Sequence, residues 1–135
     1  MAREAIAHGC LMKIVVDGND GTGKSTLVAA LRARGYDVAD RGLPTKMTDD
    51  LLLQPIAGEH YLILDAPVDV SRARLMQAGK DLSERYHTVA DLTYYRERFR
   101  MVAERIGMQQ CAVIDAAPSS EQVLAAAIAS IDRFR

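Results

Sequence analysis

Gly18-Asn19-Asp20-Gly21-Thr22-Gly23-Lys24-Ser25-Thr26 is the stretch that decides the fold. It fits the pattern G-x-x-x-x-G-K-[ST] of a phosphate-binding loop, which is informative only between a strand and a helix. Residues 11–16 before it are mostly apolar and rich in β-branched side chains, as is typical of a buried strand. After it, apolar residues at helical spacing run to Arg34, and Gly35 supplies a stop signal. The sequence therefore predicts a strand, a phosphate loop and a helix in succession.

The chemistry of this loop follows from its residue types. Glycines let the backbone turn its N–H groups toward an anion, and the helix that starts near Gly23 adds its positive end. Lys24 is expected to reach the β- and γ-phosphates of a nucleoside triphosphate, and Ser25 to hold a magnesium ion. The residues predicted to bind the nucleotide are Gly18, Asn19, Asp20, Gly21, Thr22, Gly23, Lys24, Ser25 and Thr26.

Composition limits the class of protein. A chain of 135 residues with 49% hydrophobic and 26% charged residues suits one globular domain. The net charge of -1 argues against a broad electrostatic surface for nucleic acid but allows a local basic groove. Two cysteines make no disulfide framework, and no apolar run is long enough to span a membrane. We therefore expect a cytoplasmic protein without a membrane partner, and a buried thiol at Cys111.

The rest of the chain alternates strands and helices. Residues 1–11 are predicted to be a loose extension before a single domain at 12–135, in which residues 80–90 form a polar, mobile segment. Further strands are predicted at 36–40, 60–65 and 111–115. Further helices are predicted from Thr48, at 68–78, at 91–106 with Asp91 as N-cap, and after the capping box of Ser119 and Gln122. This alternation predicts an α/β fold, a compact three-layer P-loop fold with a four-stranded parallel sheet covered on both faces.

Each predicted strand ends in an acid: Asp17, Asp40, Asp65 and Asp115. Ligands of parallel sheets bind outside the carboxyl ends of the strands. This rule favours Asp40 and Asp65 as functional acids, because they lie near the inferred phosphate edge. Asp115 is equally well explained as an ordinary strand-end residue.

Over residues 12–130 the chain resembles the thymidylate kinase family of P-loop nucleotide kinases. The loop from Asp17 to Thr26 is similar to that family's version, including the internal acid Asp20. Later stretches follow in family order, namely Arg41 with Pro44 (the acceptor loop), residues 64–67 with Arg74, and Glu84-Arg85-Tyr86 (the lid). The resemblance implies ATP as the donor, with Thr26 at the α-phosphate and Arg74 beside the nucleotide. It also implies that Arg85, on the lid-like segment 80–90, clamps the transferring phosphoryl group; the simpler alternative is that both arginines are solvated surface charges.

The chain departs from this family between the acceptor loop and His60. Residues 45–59 are too few for the family's further strand and crossover helices, and no Asp-Arg-Tyr motif occurs. The part of the family that grips free dTMP is therefore missing, along with the acid that assists magnesium. We expect Asp65 to take over the metal role, because it ends an apolar strand.

These features predict an ATP-dependent kinase that acts on a thymidine-like acceptor. A truncated acceptor side suits a nucleotide carried within DNA, and the compact chain resembles phage kinases that phosphorylate 5-hydroxymethyluracil in DNA. The target nucleobase would be flipped out of the duplex. Asp20 or Asp40 would act as the general base, and Arg41 and Lys46 would bind the acceptor.

Two other functions stay open. The chain could be a minimal dTMP or dNMP kinase whose pocket is completed by a homodimer partner. It could also be a non-catalytic ATP-binding module, although the joint presence of Lys24, Ser25 and Arg85 argues against that.

Overall fold

The computed structural model describes residues 12–44 and 54–134. The predicted extension 1–11, the helix expected from Thr48 and the predicted acceptor residue Lys46 lie outside these ranges. The strands are β1 (Lys13–Gly18), β2 (Glu59–Asp65) and β3 (Cys111–Asp115). The helices are α1 (Lys24–Ala33), α2 (Val68–Gln77), α3 (Val89–Ile106) and α4 (Ser120–Phe134). The protein is thus an α/β fold, as the alternating pattern predicts.

The sheet of the described residues has three strands, not the four that were predicted. All three run parallel in the order β1-β2-β3, with Lys13 opposite Glu59 and Tyr61 opposite Cys111. The strand expected at 36–40 is reduced to a single parallel bridge between Val38 and Ile14. The bridge consists of two hydrogen bonds, from the amide of Ile14 to the carbonyl of Asp37 and from the amide of Ala39 to the carbonyl of Ile14, both at 2.8 Å. The Val38 carbonyl accepts instead from the guanidinium of Arg32 at 2.9 Å.

The strand residues alternate between the two faces of the sheet, as their period of two requires. Ile14, Leu62 and Ile114 pack on one face against α1 and α4. Val15, Tyr61 and Ile63 pack on the other face against Phe99 of α3. Cys111 is buried there too, and burial raises the pKa of its thiol to about 12. Helices therefore cover both faces, and the carboxyl ends of the strands stay open for a site.

Two helix starts matter for that site. The capping box of α4 is confirmed, because the amide of Gln122 donates to Ser119 Oγ at 3.3 Å and the amide of Ser119 donates to the Gln122 side chain at 3.3 Å. The cap predicted at Asp91 is wrong. Thr88 caps α3 instead, and its Oγ1 accepts from the amide of Asp91 at 3.1 Å. The carboxylate of Asp91 accepts from the amide of Tyr86, at 2.8 Å, and so fixes the end of the preceding turn.

Candidate functional site

The loop between β1 and α1 packs against α2 and α3 and makes hydrogen bonds within itself. Gly21 has a φ of 81°, and a Cβ there would lie 2.5 Å from the carbonyl oxygen of Ser71, so only glycine fits. Thr22 Oγ1 donates to the carbonyl of Asn19 at 2.6 Å, and Asn19 Nδ2 donates to the carbonyl of Leu92 at 2.8 Å. The loop is therefore anchored to the first turns of α3, a contact between residues far apart in sequence.

Lys24 lies across this loop. Its Nζ donates to the carbonyl of Gly18 at 2.6 Å and lies 3.5 Å from Asp20 Oδ1. The ammonium group is thus held over the loop by two oxygens and is only partly exposed. The next residues, Ser25 and Thr26, are exposed at the start of α1.

An apolar cleft of about 360 Å³ opens on one side of the loop. It is lined by Gly23, Thr26, Leu27, Arg74, Pro118 and Val123, among others. The guanidinium of Arg74 donates to the carbonyl of Ala117 at 3.1 Å and to that of Gly21 at 3.4 Å. Arg74 therefore connects the loop to the β3–α4 turn at the edge of this cleft.

A second cleft of about 440 Å³ opens on the other side of the loop, and its lining includes Asp17, Lys24, Ser25, Asp40, Arg41 and Gly42. It is called the polar cleft after its charged side chains, although most of its lining surface is apolar. Two of these predicted site residues are already paired with other charges. Asp40 forms an ion pair with Arg32, and 92% of its side chain is exposed. Arg41 forms an ion pair with Glu59, which is buried and also accepts from the hydroxyl of Tyr61 at 2.9 Å. Both residues do reach the cleft, but neither is an unpaired charge.

Asp17 also lines the polar cleft, although the sequence indicated it only as a strand-end acid and as the first residue of the family-like loop. Its Oδ1 accepts from the amide of Gly18 at 2.8 Å, and its Oδ2 accepts from the amide of Leu43 at 2.9 Å. A Cβ on Gly42 would lie 2.9 Å from Asp17 Cγ, which is closer than real Cβ contacts come. Asp17 thereby ties the predicted acceptor loop to the end of β1. The one sequence signal was an acid directly before the phosphate loop.

Asp65 is held by arginines from α3. Arg96 Nε donates to Oδ1 at 2.8 Å and its NH2 to Oδ2 at 3.2 Å, while Arg100 lies 3.6 Å from Oδ2. The hydrogen bonds from Arg96 lower the pKa of Asp65 below its ordinary value. This arrangement argues against the magnesium role predicted for Asp65, because both oxygens serve one guanidinium. No group of three or more potential metal ligands occurs among residues 12–44 and 54–134.

The lid-like segment 80–90 is folded into turns, although its polar sequence suggested a mobile stretch. Arg72 of α2 donates to the carbonyls of His87 at 2.8 Å and Leu82 at 3.2 Å. Arg85 is exposed and lies over the ring of Tyr86, 4.9 Å from its centroid. Within the part of the chain that the structure describes, Arg85 makes no ion pair, so it is available as the cation that the sequence predicts.

Part of the chain is similar to a known protein. No family model matches the chain. The chain is similar to a protein of Cordyceps militaris named "Bifunctional cordycepin biosynthesis cluster protein 3". The two are 33% identical over 113 residues, an alignment that takes in 64% of this chain and 13% of the relative. The chain thus spans a small part of that protein's length. None of the helices in the described ranges is both long and apolar enough to cross a membrane.

Proposed function

We propose that this protein is an ATP-dependent phosphotransferase with Mg²⁺ as its cofactor, built as a P-loop fold. One observation carries the proposal: the phosphate loop and the start of α1 lie between an apolar cleft and a polar cleft. Thr26 lines the apolar cleft, while Lys24 and Ser25 line the polar one. Phosphoryl transfer needs a donor and an acceptor on opposite sides of the moving group, roughly in line. A loop of this type between two clefts supports that geometry.

On the donor side, the apolar cleft suits a flat nucleobase, and the loop amides suit the triphosphate. Lys24 would exchange the carbonyl of Gly18 for phosphate oxygens, which concentrates its charge where negative charge develops. Ser25, whose hydroxyl is exposed beside Lys24, fits a magnesium ligand, whereas Asp65 does not because Arg96 occupies it. When bound, magnesium supplies charge neutralisation on the β- and γ-phosphates.

On the acceptor side, we propose an alcohol, with the hydroxymethyl group of 5-hydroxymethyluracil in DNA as the first candidate. In the transfer, the acceptor oxygen bonds to the γ-phosphorus and the bond to the β–γ bridging oxygen breaks, its electron pair leaving with ADP. The hydroxyl proton passes to a carboxylate, for which Asp20, Asp40 and Asp17 are the candidates. Residues 45–59 are too few to enclose a free nucleotide, and a polynucleotide would supply the missing binding contacts through its own backbone.

A free nucleotide or nucleoside is the second candidate acceptor. It is favoured by the paired charges of the polar cleft, where Arg32 and Arg41 are neutralised by Asp40 and Glu59. Such a cleft offers few free cations to DNA phosphates.

The deciding experiment offers γ-labelled ATP in parallel to DNA that carries hydroxymethyluracil and to free dTMP. Label in DNA, with activity that falls gently as salt rises, would support the first acceptor, because phosphate contacts release counterions. Label in dTMP alone would establish the second acceptor. The non-catalytic module would be the better description if the protein binds ATP, labels no acceptor, and keeps its ATP binding in Lys24→Ala.

A further inference from the structure

His87 connects the lid-like segment to the phosphate loop. Its side chain is buried, with 8% of the residue exposed, although it lies in a polar stretch of turns. Nε2 lies 3.1 Å from Asp20 Oδ2, and Nδ1 lies 3.1 Å from the carbonyl oxygen of Asp81. Both partners are oxygen acceptors, so the ring satisfies both only by donating from each nitrogen. No local sequence pattern indicates this contact, because the residues are 67 positions apart.

Asp20 is shared between His87 and the loop lysine. One carboxylate oxygen faces His87, and the other lies 3.5 Å from Lys24 Nζ. The Asp20 side chain is 46% exposed, so the surrounding fold does not bury it and its orientation depends on these two partners. A continuous series of polar contacts therefore runs from the lid-like segment through His87 and Asp20 to Lys24.

The fold of the lid-like segment does not itself require the imidazole–carboxylate contact. Arg72 binds the His87 and Leu82 carbonyls, and the amide and hydroxyl of Ser83 donate to Asp81. These contacts close the turns from within or from α2. The hydrogen bond from Nε2 is different, because it reaches the phosphate loop. Glu84 also faces the ring, with Oε2 4.0 Å from Nδ1, but it is 64% exposed.

We propose that His87 is a positioning residue, which couples the lid-like segment to the phosphate-loop lysine through Asp20. The proposal rests on the proposed phosphotransferase function and deepens it. With His87 in place, one oxygen of Asp20 bonds to the lid-like segment and only the other faces Lys24. When Lys24 moves to phosphate, Asp20 still tethers the segment that carries Arg85. Without the imidazole, Asp20 pairs with Lys24 alone and Arg85 loses its fixed distance from the loop.

The experiment compares wild type with His87→Ala, His87→Gln and the matched control Glu84→Gln. Trypsin cleavage after Lys80 and Arg85 in the nucleotide-free protein reports docking of the segment and needs no activity. We expect His87→Ala to speed this cleavage about tenfold or more, as the loss of a charge-assisted hydrogen bond implies. His87→Gln, which keeps a donor, should restore much of the protection, and Glu84→Gln should match wild type.

Kinetics then separate positioning from general stability. We expect His87→Ala to lower kcat about tenfold while the Kd for ATP, from calorimetry, stays within about threefold. Adding Asp20→Asn to His87→Ala should speed cleavage no further, because the two residues act through one contact. If His87→Ala does not fold, as judged by its melting curve, the cleavage rate of Asp20→Asn decides the matter, because that change removes the carboxylate's charge from the same contact.

Wild-type cleavage rates in both His87 variants, or in Asp20→Asn, would overturn the proposal. So would a drop in ATP affinity that accounts for the whole loss of activity. Failure of the proposed function gives a different result: wild type would bind no ATP or label no acceptor, while the cleavage rates would still report the contact between His87 and Asp20.

Discussion

Replacing Gly42 by alanine should weaken use of the acceptor without affecting ATP. The new Cβ would lie 2.9 Å from Asp17 Cγ and closer still to Oδ2, so the carboxylate or the loop must move. Either movement disturbs the 2.9 Å hydrogen bond that Oδ2 accepts from the amide of Leu43. A hydrogen bond to a charged group contributes roughly 1.5–3 kcal/mol, which corresponds to about 10- to 150-fold in the population of the correct loop. We therefore expect kcat/KM for the acceptor to fall by roughly that factor.

The assay is steady-state transfer from labelled ATP at varied acceptor and at varied ATP, with ATP affinity measured separately by calorimetry. Asp17→Asn is the companion variant, because it replaces one of the two acceptor oxygens, which accept from the amides of Gly18 and Leu43, by an NH2 donor. Asp37→Asn is the control for the same chemical change, at an exposed acid whose partner Lys13 lies 3.8 Å away. Unchanged acceptor kinetics in Gly42→Ala, or an equal loss of ATP affinity, would refute the idea that Asp17 positions the acceptor loop.

Three further outcomes are expected. Lys24→Ala should abolish transfer while the melting temperature stays near that of wild type. Normal turnover in this variant would show that the loop is not part of the active site. Arg85→Ala should keep ATP affinity within a few fold but lower turnover by roughly a hundredfold, as for a cation used mainly in the transition state; collapse of ATP affinity alone would contradict this. Because Arg96 lowers the pKa of Asp65 in the folded protein, that pair stabilises the fold above about pH 4 and the contribution is lost as pH falls further. In Asp65→Asn, the free energy of unfolding should therefore depend less on pH in this acidic range. An unchanged slope would show that the pair does not contribute to stability.

Local sequence signals determined most of the secondary structure. The strands β1, β2 and β3 lie where apolar runs predicted them, because burial of β-branched and aliphatic side chains is readable from composition. The phosphate loop and the capping box at Ser119 depend on residues within a few positions of one another. Where two local solutions competed, the sequence was less decisive: Thr88 and Asp91 are both good caps, and the hydroxyl of Thr88 took the role.

The roles of single charges were decided by tertiary structure alone. Asp65 ends an apolar strand, as a metal-binding acid would, yet Arg96, 31 residues away, occupies both of its oxygens. Arg41 lies in the predicted acceptor loop, yet it is paired with the buried carboxylate of Glu59. No local pattern encodes such pairings, since a buried or half-buried charge takes whichever opposite charge the fold brings near.

The same distinction holds for the loop after β1 and its long-range contacts. The sequence determined the glycine-rich loop between β1 and α1, since glycines, a lysine and a hydroxyl at fixed spacing are local features. It could not determine that Asp17 would bind the amide of Leu43 or that His87 would reach Asp20, contacts that span 26 and 67 positions. Those contacts exist because β1, β2 and the bridge at Val38 run parallel, so the chain segments that leave their carboxyl ends meet at one edge of the sheet.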